Sequence, residues 1–270
     1  MRLHLFLLGL LVAAGLIGSV LLVPGAKELA YMHFKAQNFD LARRDFERMI
    51  EKGDVSASVV LPLGELYLIQ GEMERAIKLV ESYVGANSWD IAGFRKLADF
   101  YKFGQRTAMQ IATLEAMNER HASRDSLREL MGLLDVQGRV DDHTRVLKAL
   151  VELGAGDADD YELLAFRAAA AGRGAEAQAV LSAFRRRYPK AFLDHVAELE
   201  LSLALDRGDV AGGFETARRW VIEHGDASGA ISLAQVLAAR GRSDLGLRVL
   251  EPVVKEPIQD AQLLGTVIDL

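Results

Sequence analysis

Val60 to Val84, VLPLGELYLIQGEMERAIKLVESYV, reads as two short helices joined by a tight turn. Leu63, Gly64 and Tyr67 fall on one face of the first helix, Gly71 makes the turn, and Ala76, Val80 and Val84 line one face of the second. Steps of three and four residues are the helical period. Gly64 and Ala76 are small where two helix backbones must approach closely, and Leu63, Tyr67 and Val80 fill the space around that approach. Glycine suits the turn because a helix ends most cheaply in a left-handed residue, which glycine adopts without a Cβ clash.

The same unit recurs along the chain. Ala42 and Phe46 stand where Ala76 and Val80 stand one unit later. The turn glycines Gly71, Gly104, Gly138, Gly172, Gly208 and Gly241 follow at intervals of 33, 34, 34, 36 and 33. A first unit runs from Ala26 to Ile50, and a third from Trp89 to Met117, its turn one residue out of register. A fourth spans Asp125 to Val151, a fifth Asp159 to Pro189, a sixth His195 to Val221 and a seventh Ser228 to Val254. In the fifth, Asp159 and Glu162 are spaced as a capping box and Pro189 stops the second helix. In the sixth, Gly213 holds the close-contact position and Trp220 comes late in the second helix. Leu-Gly-x-x-Tyr followed by Ala-x-x-x-apolar resembles the tetratricopeptide repeat, a helix-turn-helix of about 34 residues. The resemblance implies an all-α, right-handed superhelix of helix pairs that binds proteins and performs no catalysis. It covers residues 26–270 as a solenoid of about seven and a half repeats.

Residues 1–25 differ. Leu3 to Val23, LHLFLLGLLVAAGLIGSVLLV, carries no ionisable group after His4, and its length matches the roughly 20 residues a helix needs to cross a bilayer. A cleaved signal peptide is the competing reading, with Arg2 as a short basic start. The apolar core exceeds the usual h-region and no Ala-x-Ala is present, which favours an uncleaved N-terminal transmembrane helix. The charge bias across it is weak. A two-residue tail left in the cytoplasm would put the repeats in a bacterial periplasm, anchored at the inner membrane by a single pass. Pro24-Gly25 is the whole junction to the first repeat.

The other end carries Leu264-Gly265, which repeats the Leu63-Gly64 pairing with no second helix after it. Repeat arrays end in a polar capping helix. An open last face points to a longer parent protein, or to a further chain or second copy covering it.

Composition removes several functions. A formal net charge of −6 argues against nucleic acid, and the absence of cysteine excludes disulfides, thiolate metal sites and a cysteine nucleophile. Gly172-x-Gly174-x-x-Ala177 matches a dinucleotide fingerprint by letters, but it follows the helical run YELLAFRAAAA instead of the β-strand that the motif requires. Asp141-Asp142-His143 sits where acidic residues start a helix. Arg185-Arg186-Arg187 and Arg218-Arg219 sit where cations end one. No cofactor and no metal site is expected.

On the repeat frame the concave groove is lined by first-helix residues beside the core: Lys27, Tyr31, Phe34 and Lys35, then Glu65 and Leu68, then Arg95, Asp99 and Lys102, then Arg128 and Asp135. Glu162 and Phe166, His195 and Glu198, and Gln235 continue the series. Tyr31 and Phe34 between two lysines are either a partner anchor, packing on the second repeat, or side chains at lipid headgroup level. The anchor, the lack of cysteine and the many weak repeats also resemble the periplasmic repeat regions of bacterial exopolysaccharide secretion proteins, such as the Pel and cellulose export scaffolds. The expected function is a membrane-tethered scaffold for protein partners in an envelope assembly. The alternatives are a cytoplasm-facing regulator of envelope biosynthesis and the accessory region of a longer enzyme or outer-membrane protein.

Overall fold

A chain whose apolar residues recur at helical spacing, broken at regular intervals by a turn, must bury its stripes helix against helix. The computed structural model describes residues 24–189, 194–224, 226–254 and 261–270, and carries fifteen α-helices and no strand among them. Residues 1–23, on which the transmembrane expectation falls, lie outside the described residues. Among those described, no helix is long and apolar enough to cross a membrane.

The chain divides into two compact units between Gln137 and Gly138, inside the fourth expected repeat. The first unit holds α1 (Ala26–Lys35), α2 (Phe39–Glu51), α3 (Ala57–Ile69), α4 (Met73–Ala86), α5 (Ile91–Phe103), α6 (Thr107–Arg120) and α7 (Arg124–Val136). Here α1 pairs with α2, α3 with α4 and α5 with α6, and each second helix packs on the next first helix. Phe46, Leu63, Leu66, Phe100 and Leu114 are fully buried between them.

The second unit holds α8 (Val140–Glu152), α9 (Ala158–Ala170), α10 (Gly174–Arg187), α11 (Asp194–Asp206), α12 (Val210–His224), α13 (Ala227–Ala239), α14 (Ser243–Leu250) and α15 (Ala261–Asp269). It pairs α9 with α10, α11 with α12 and α13 with α14. α15 packs on α13 and leaves Leu264 and Ile268 exposed.

The small residues do what their spacing requires. A Cβ on Gly64 would stand 3.0 Å from Val80 Cγ2 and 3.1 Å from Phe100 Cε2, so this glycine lets α3 approach its own partner and the next hairpin together. On Gly213 a Cβ would meet Leu201 Cδ1 at 3.1 Å and Ala204 Cβ at 3.2 Å.

The turns show one departure. Gly71, Gly138, Gly172, Gly208 and Gly241 are left-handed, but Gly104 is not: its φ is −76°. The left-handed residue there is Gln105, φ 56°, and Gln37, φ 59°, does the same in the first hairpin. Gln105 stands one full repeat after Gly71, so the third turn is in register after all and lacks only the glycine. Each glutamine bears a cost of roughly 1–2 kcal/mol, tolerated because the same long turn bond forms: Asn38 N–H donates to the His33 carbonyl at 2.9 Å and Arg106 N–H to the Tyr101 carbonyl at 2.8 Å, as Glu72 does to Tyr67.

The capping expectation at Asp159 and Glu162 is also corrected. α9 starts earlier, and the reciprocal cap joins Asp157 and Asp160: Asp160 N–H donates to Asp157 Oδ1 at 3.2 Å and Asp157 N–H to Asp160 Oδ2 at 2.7 Å. Any of four clustered acidic residues fits the spacing, and the helix start decides among them.

Candidate partner-binding face

In the first unit the first helices α1, α3, α5 and α7 present the charged residues that the repeat register places beside the core. The structure joins many of them into a ladder. Lys27 Nζ donates to Ser58 Oγ at 2.8 Å and pairs with Asp54 at 3.4 Å. Glu65 pairs with Lys96 on the next first helix, and Arg95 with Glu129 on the one after. The buried Gln110 amide holds the other oxygen of Glu129 at 3.0 Å. These pairs fix side chains across hairpins, and as partly exposed ion pairs each adds little to stability. They set geometry.

Asp99 stands beside this ladder. It reaches solvent, yet the surrounding protein displaces the water that would solvate its charge and holds its carboxyl above the ordinary carboxylate range. Arg95, Lys96 and Lys102 oppose that rise, and Glu129 adds to it. Lys35, Lys102 and Asp135 are exposed on the ends of their helices, and Arg128 is half-buried.

Tyr31 and Phe34 have structural duties. Tyr31 is half-buried, edge-on to Phe46 at 5.4 Å, and burial raises its phenol pKa, with the Glu65 charge adding to the rise. Its hydroxyl donates to the Ser58 carbonyl at 2.8 Å. That carbonyl is four residues before Pro62, which lies inside α3 and has no N–H to give it. Tyr31 therefore supplies the hydrogen bond that Pro62 removes. Phe34 packs edge-on to Phe39, centroids 6.2 Å apart, within its own hairpin.

A coupling follows. Tyr31→Phe should cost about 1–2 kcal/mol by orphaning the carbonyl. Pro62→Ala restores an amide donor, so the same loss of the hydroxyl should cost about 1 kcal/mol less in that background. Urea midpoints of the four proteins give the cycle, and additive effects would refute the link.

A second repeating device was not anticipated. Tyr67 donates to Glu47 at 2.9 Å, and Tyr101 donates to Glu81 at the same positions one repeat further along. Arg43 and Arg75 lie over the Tyr67 ring at 5.0 and 4.4 Å. Burial, then the Glu47 hydrogen bond, pushes the Tyr67 phenol up to about 12. The signal was in the sequence as Glu47/Tyr67 and Glu81/Tyr101, and only the structure shows that the two positions face each other.

In the second unit Glu162 and Glu198 are half-buried while Phe166, His195 and Gln235 are exposed. No hydrogen bond or ion pair joins the four expected site residues Glu162, Phe166, His195 and Glu198 to one another. His143, from the acidic run, is buried and receives an Arg167 guanidinium at 2.9 Å. A cleft of about 610 Å³ lies among α10, α11 and α12, and several of its polar groups pair with protein. Arg185 forks onto Glu200 at 3.0 and 3.2 Å, Arg207 donates to Gln178, and Asp209 accepts from Gly212 N–H. Arg185 thus bridges hairpins, where the sequence suggested a solvated helix end. Among the described residues no three His, Asp or Glu side chains gather as metal ligands.

Paired helices closed by one recurring turn bond give this chain a helical-repeat fold of the tetratricopeptide type. No protein-family model matches the chain, and no curated protein matches it. The solved structure of Naa15/Naa10 bound to HypK-THB is similar in fold, with a TM-score of 0.55 at 12% identity over 90% of this chain. The match spans only 38% of that chain. A tetratricopeptide repeat protein from Parabacteroides merdae aligns over 90% of this chain and 97% of its own, at 12% identity and a TM-score of 0.44. MamA protein aligns over 62% of this chain and 96% of its own, at 15% identity and a TM-score of 0.41.

Proposed function

We propose that this chain is a non-catalytic scaffold, tethered to a membrane by residues 3–23, which holds a protein partner on the first-helix face of its N-terminal unit. The observation that carries it is the cross-hairpin ladder of Glu65 with Lys96 and Arg95 with Glu129, which locks charged side chains in place beside the exposed Asp99 carboxylate. Such a frame is pre-organised, so a partner loses little side-chain freedom on docking. The mixed signs favour a partner of complementary mixed charge, with the charges setting its register. Tethering is supported by the length and apolarity of Leu3 to Val23. The envelope machinery we have in view is exopolysaccharide synthesis or export on the periplasmic side of a bacterial inner membrane, on resemblance of architecture alone.

Two measurements test this. A photocrosslinker placed at Lys102 in native membranes should capture a discrete partner. Asp99→Lys combined with Lys102→Glu should lower recovery of that partner by about tenfold, since like charges then meet across the contact. Undiminished recovery would remove this face from the function. A reporter fused after Leu270, active only in the cytoplasm, would overturn the periplasmic placement and leave the binding face standing.

A further inference from the structure

The outer face of α1 has the composition of a buried surface and nothing described to bury it. Leu29 and Met32 are 39% and 55% exposed. One repeat later the same positions are Leu63 and Leu66, exposed by 1% and 0%, and one repeat further they are Leu97 and Phe100, also buried. Lys35 continues this face one turn on and is exposed, and Glu28 opens it with its carboxylate turned back onto Gly25 N–H at 2.8 Å.

Three occupants compete: the apolar residues 3–23 folded back, a second copy of the chain, and a lipid surface. Within this unit the links from a second helix to the next first helix are 52–56, 87–90 and 121–123, five, four and three residues. Only Pro24 and Gly25 separate the apolar run from α1, fewer residues than in any of those links. The run also lacks the chemistry of a second helix. α2 and α4 turn Arg44, Arg48 and Lys78 to water, whereas residues 5–23 hold no charge to turn outward. In the repeat register the small position of Ala42 and Ala76 falls on Leu8.

We propose, on the tether reading above, that Leu29 and Met32 on α1 lie in the interfacial layer of the bilayer that receives residues 3–23, with Lys35 at phosphate level. An apolar helix face settles roughly 5–10 Å into the headgroup boundary, and a lysine stem lies along apolar surface while its ammonium meets anionic lipid. The N-terminal hairpin is then laid on the membrane by contact, so the binding face is presented at a fixed angle to it.

The chain contains no cysteine, so single cysteines report cleanly. Full-length protein carrying Val12→Cys, Met32→Cys or Val136→Cys is labelled with an environment-sensitive fluorophore. It is then reconstituted into phosphatidylethanolamine/phosphatidylglycerol vesicles with and without nitroxide lipids, labelled in the headgroup region to reach Met32 and at the acyl-chain end to reach Val12. Nitroxide lipid should quench the Met32 probe about twofold, as expected for a label at the interface, quench the Val12 probe, and spare Val136. Quenching at Val12 without quenching at Met32 would overturn the lipid contact while the tether stands. A blue-shifted but unquenched Met32 probe would assign the face to protein, either the folded-back segment or a second copy, and would likewise overturn it. No quenching at either site would refute the tether itself.

Discussion

A chain carrying Ala76→Arg should lose cooperative melting of its N-terminal hairpins and become open to proteolysis between α3 and α5. Ala76 is fully buried, on the face of α4 that carries Val80 against Gly64 of α3. A guanidinium there has no water and no partner carboxylate, and an unpaired buried charge costs several kcal/mol. That is a large part of the roughly 5–15 kcal/mol by which a domain of this size is stable. In a repeat array the damage is local, because each hairpin depends on its neighbours alone. Hydrogen exchange should therefore show lost protection in α3 to α5 and near-normal protection in α13 and α14. Ala175→Arg, on the exposed side of α10, is the matched control and should stay within about 0.5 kcal/mol of the parent. Equal melting of the two variants would mean that α4 does not present Ala76 to its partner.

The repeat was legible because its signals are backbone requirements. A small residue at each helix crossing and a left-handed residue at each turn leave few amino acids to choose from, so Gly64, Ala76 and Gly71 announce themselves. Gln105 shows the limit. The turn demands a backbone conformation, glycine is merely its cheapest supplier, and a ruler built on glycine slips by one residue where glutamine takes the position. Side-chain partnerships were legible only in part. The repeat register assigns residues of α1, α3 and α5 to positions beside the core, but not their partners. That Glu65 would find Lys96, Arg95 would find Glu129 and Tyr31 would serve the carbonyl freed by Pro62 depends on how successive hairpins rotate against each other. Rotation is set by the summed shapes of many buried side chains, and no short pattern encodes it. The same reasoning explains Tyr31: the sequence left open a partner anchor or packing on the second repeat, and its register against Pro62 in the next hairpin carried the deciding information.

The contact with the largest expected penalty in the second unit is between Trp220 and Gly229. Trp220 lies late in α12, 5% exposed, stacked on His224 with centroids 4.8 Å apart. Its ring fills the space above Gly229 in α13: a Cβ there would stand 2.2 Å from Cη2 and 2.5 Å from Cζ3. Gly229→Ala must push the indole aside and should cost about 1–3 kcal/mol by overpacking. Trp220→Ala empties the site and should cost about 3–5 kcal/mol. The two changes are not independent. Once the ring is gone the alanine methyl occupies part of the void, so the double variant should be more stable than the summed losses require, by about 1 kcal/mol or more. Trp220→Phe separates shape from polarity. The described residues give the indole Nε1 no acceptor, so phenylalanine forfeits no hydrogen bond and removes a buried donor that has none. It should therefore cost less than about 1.5 kcal/mol, and in that background Gly229→Ala should cost less than it does beneath the indole. Urea unfolding followed by circular dichroism gives all of these values, and strict additivity of the Trp220→Ala and Gly229→Ala losses would show that α12 and α13 meet elsewhere.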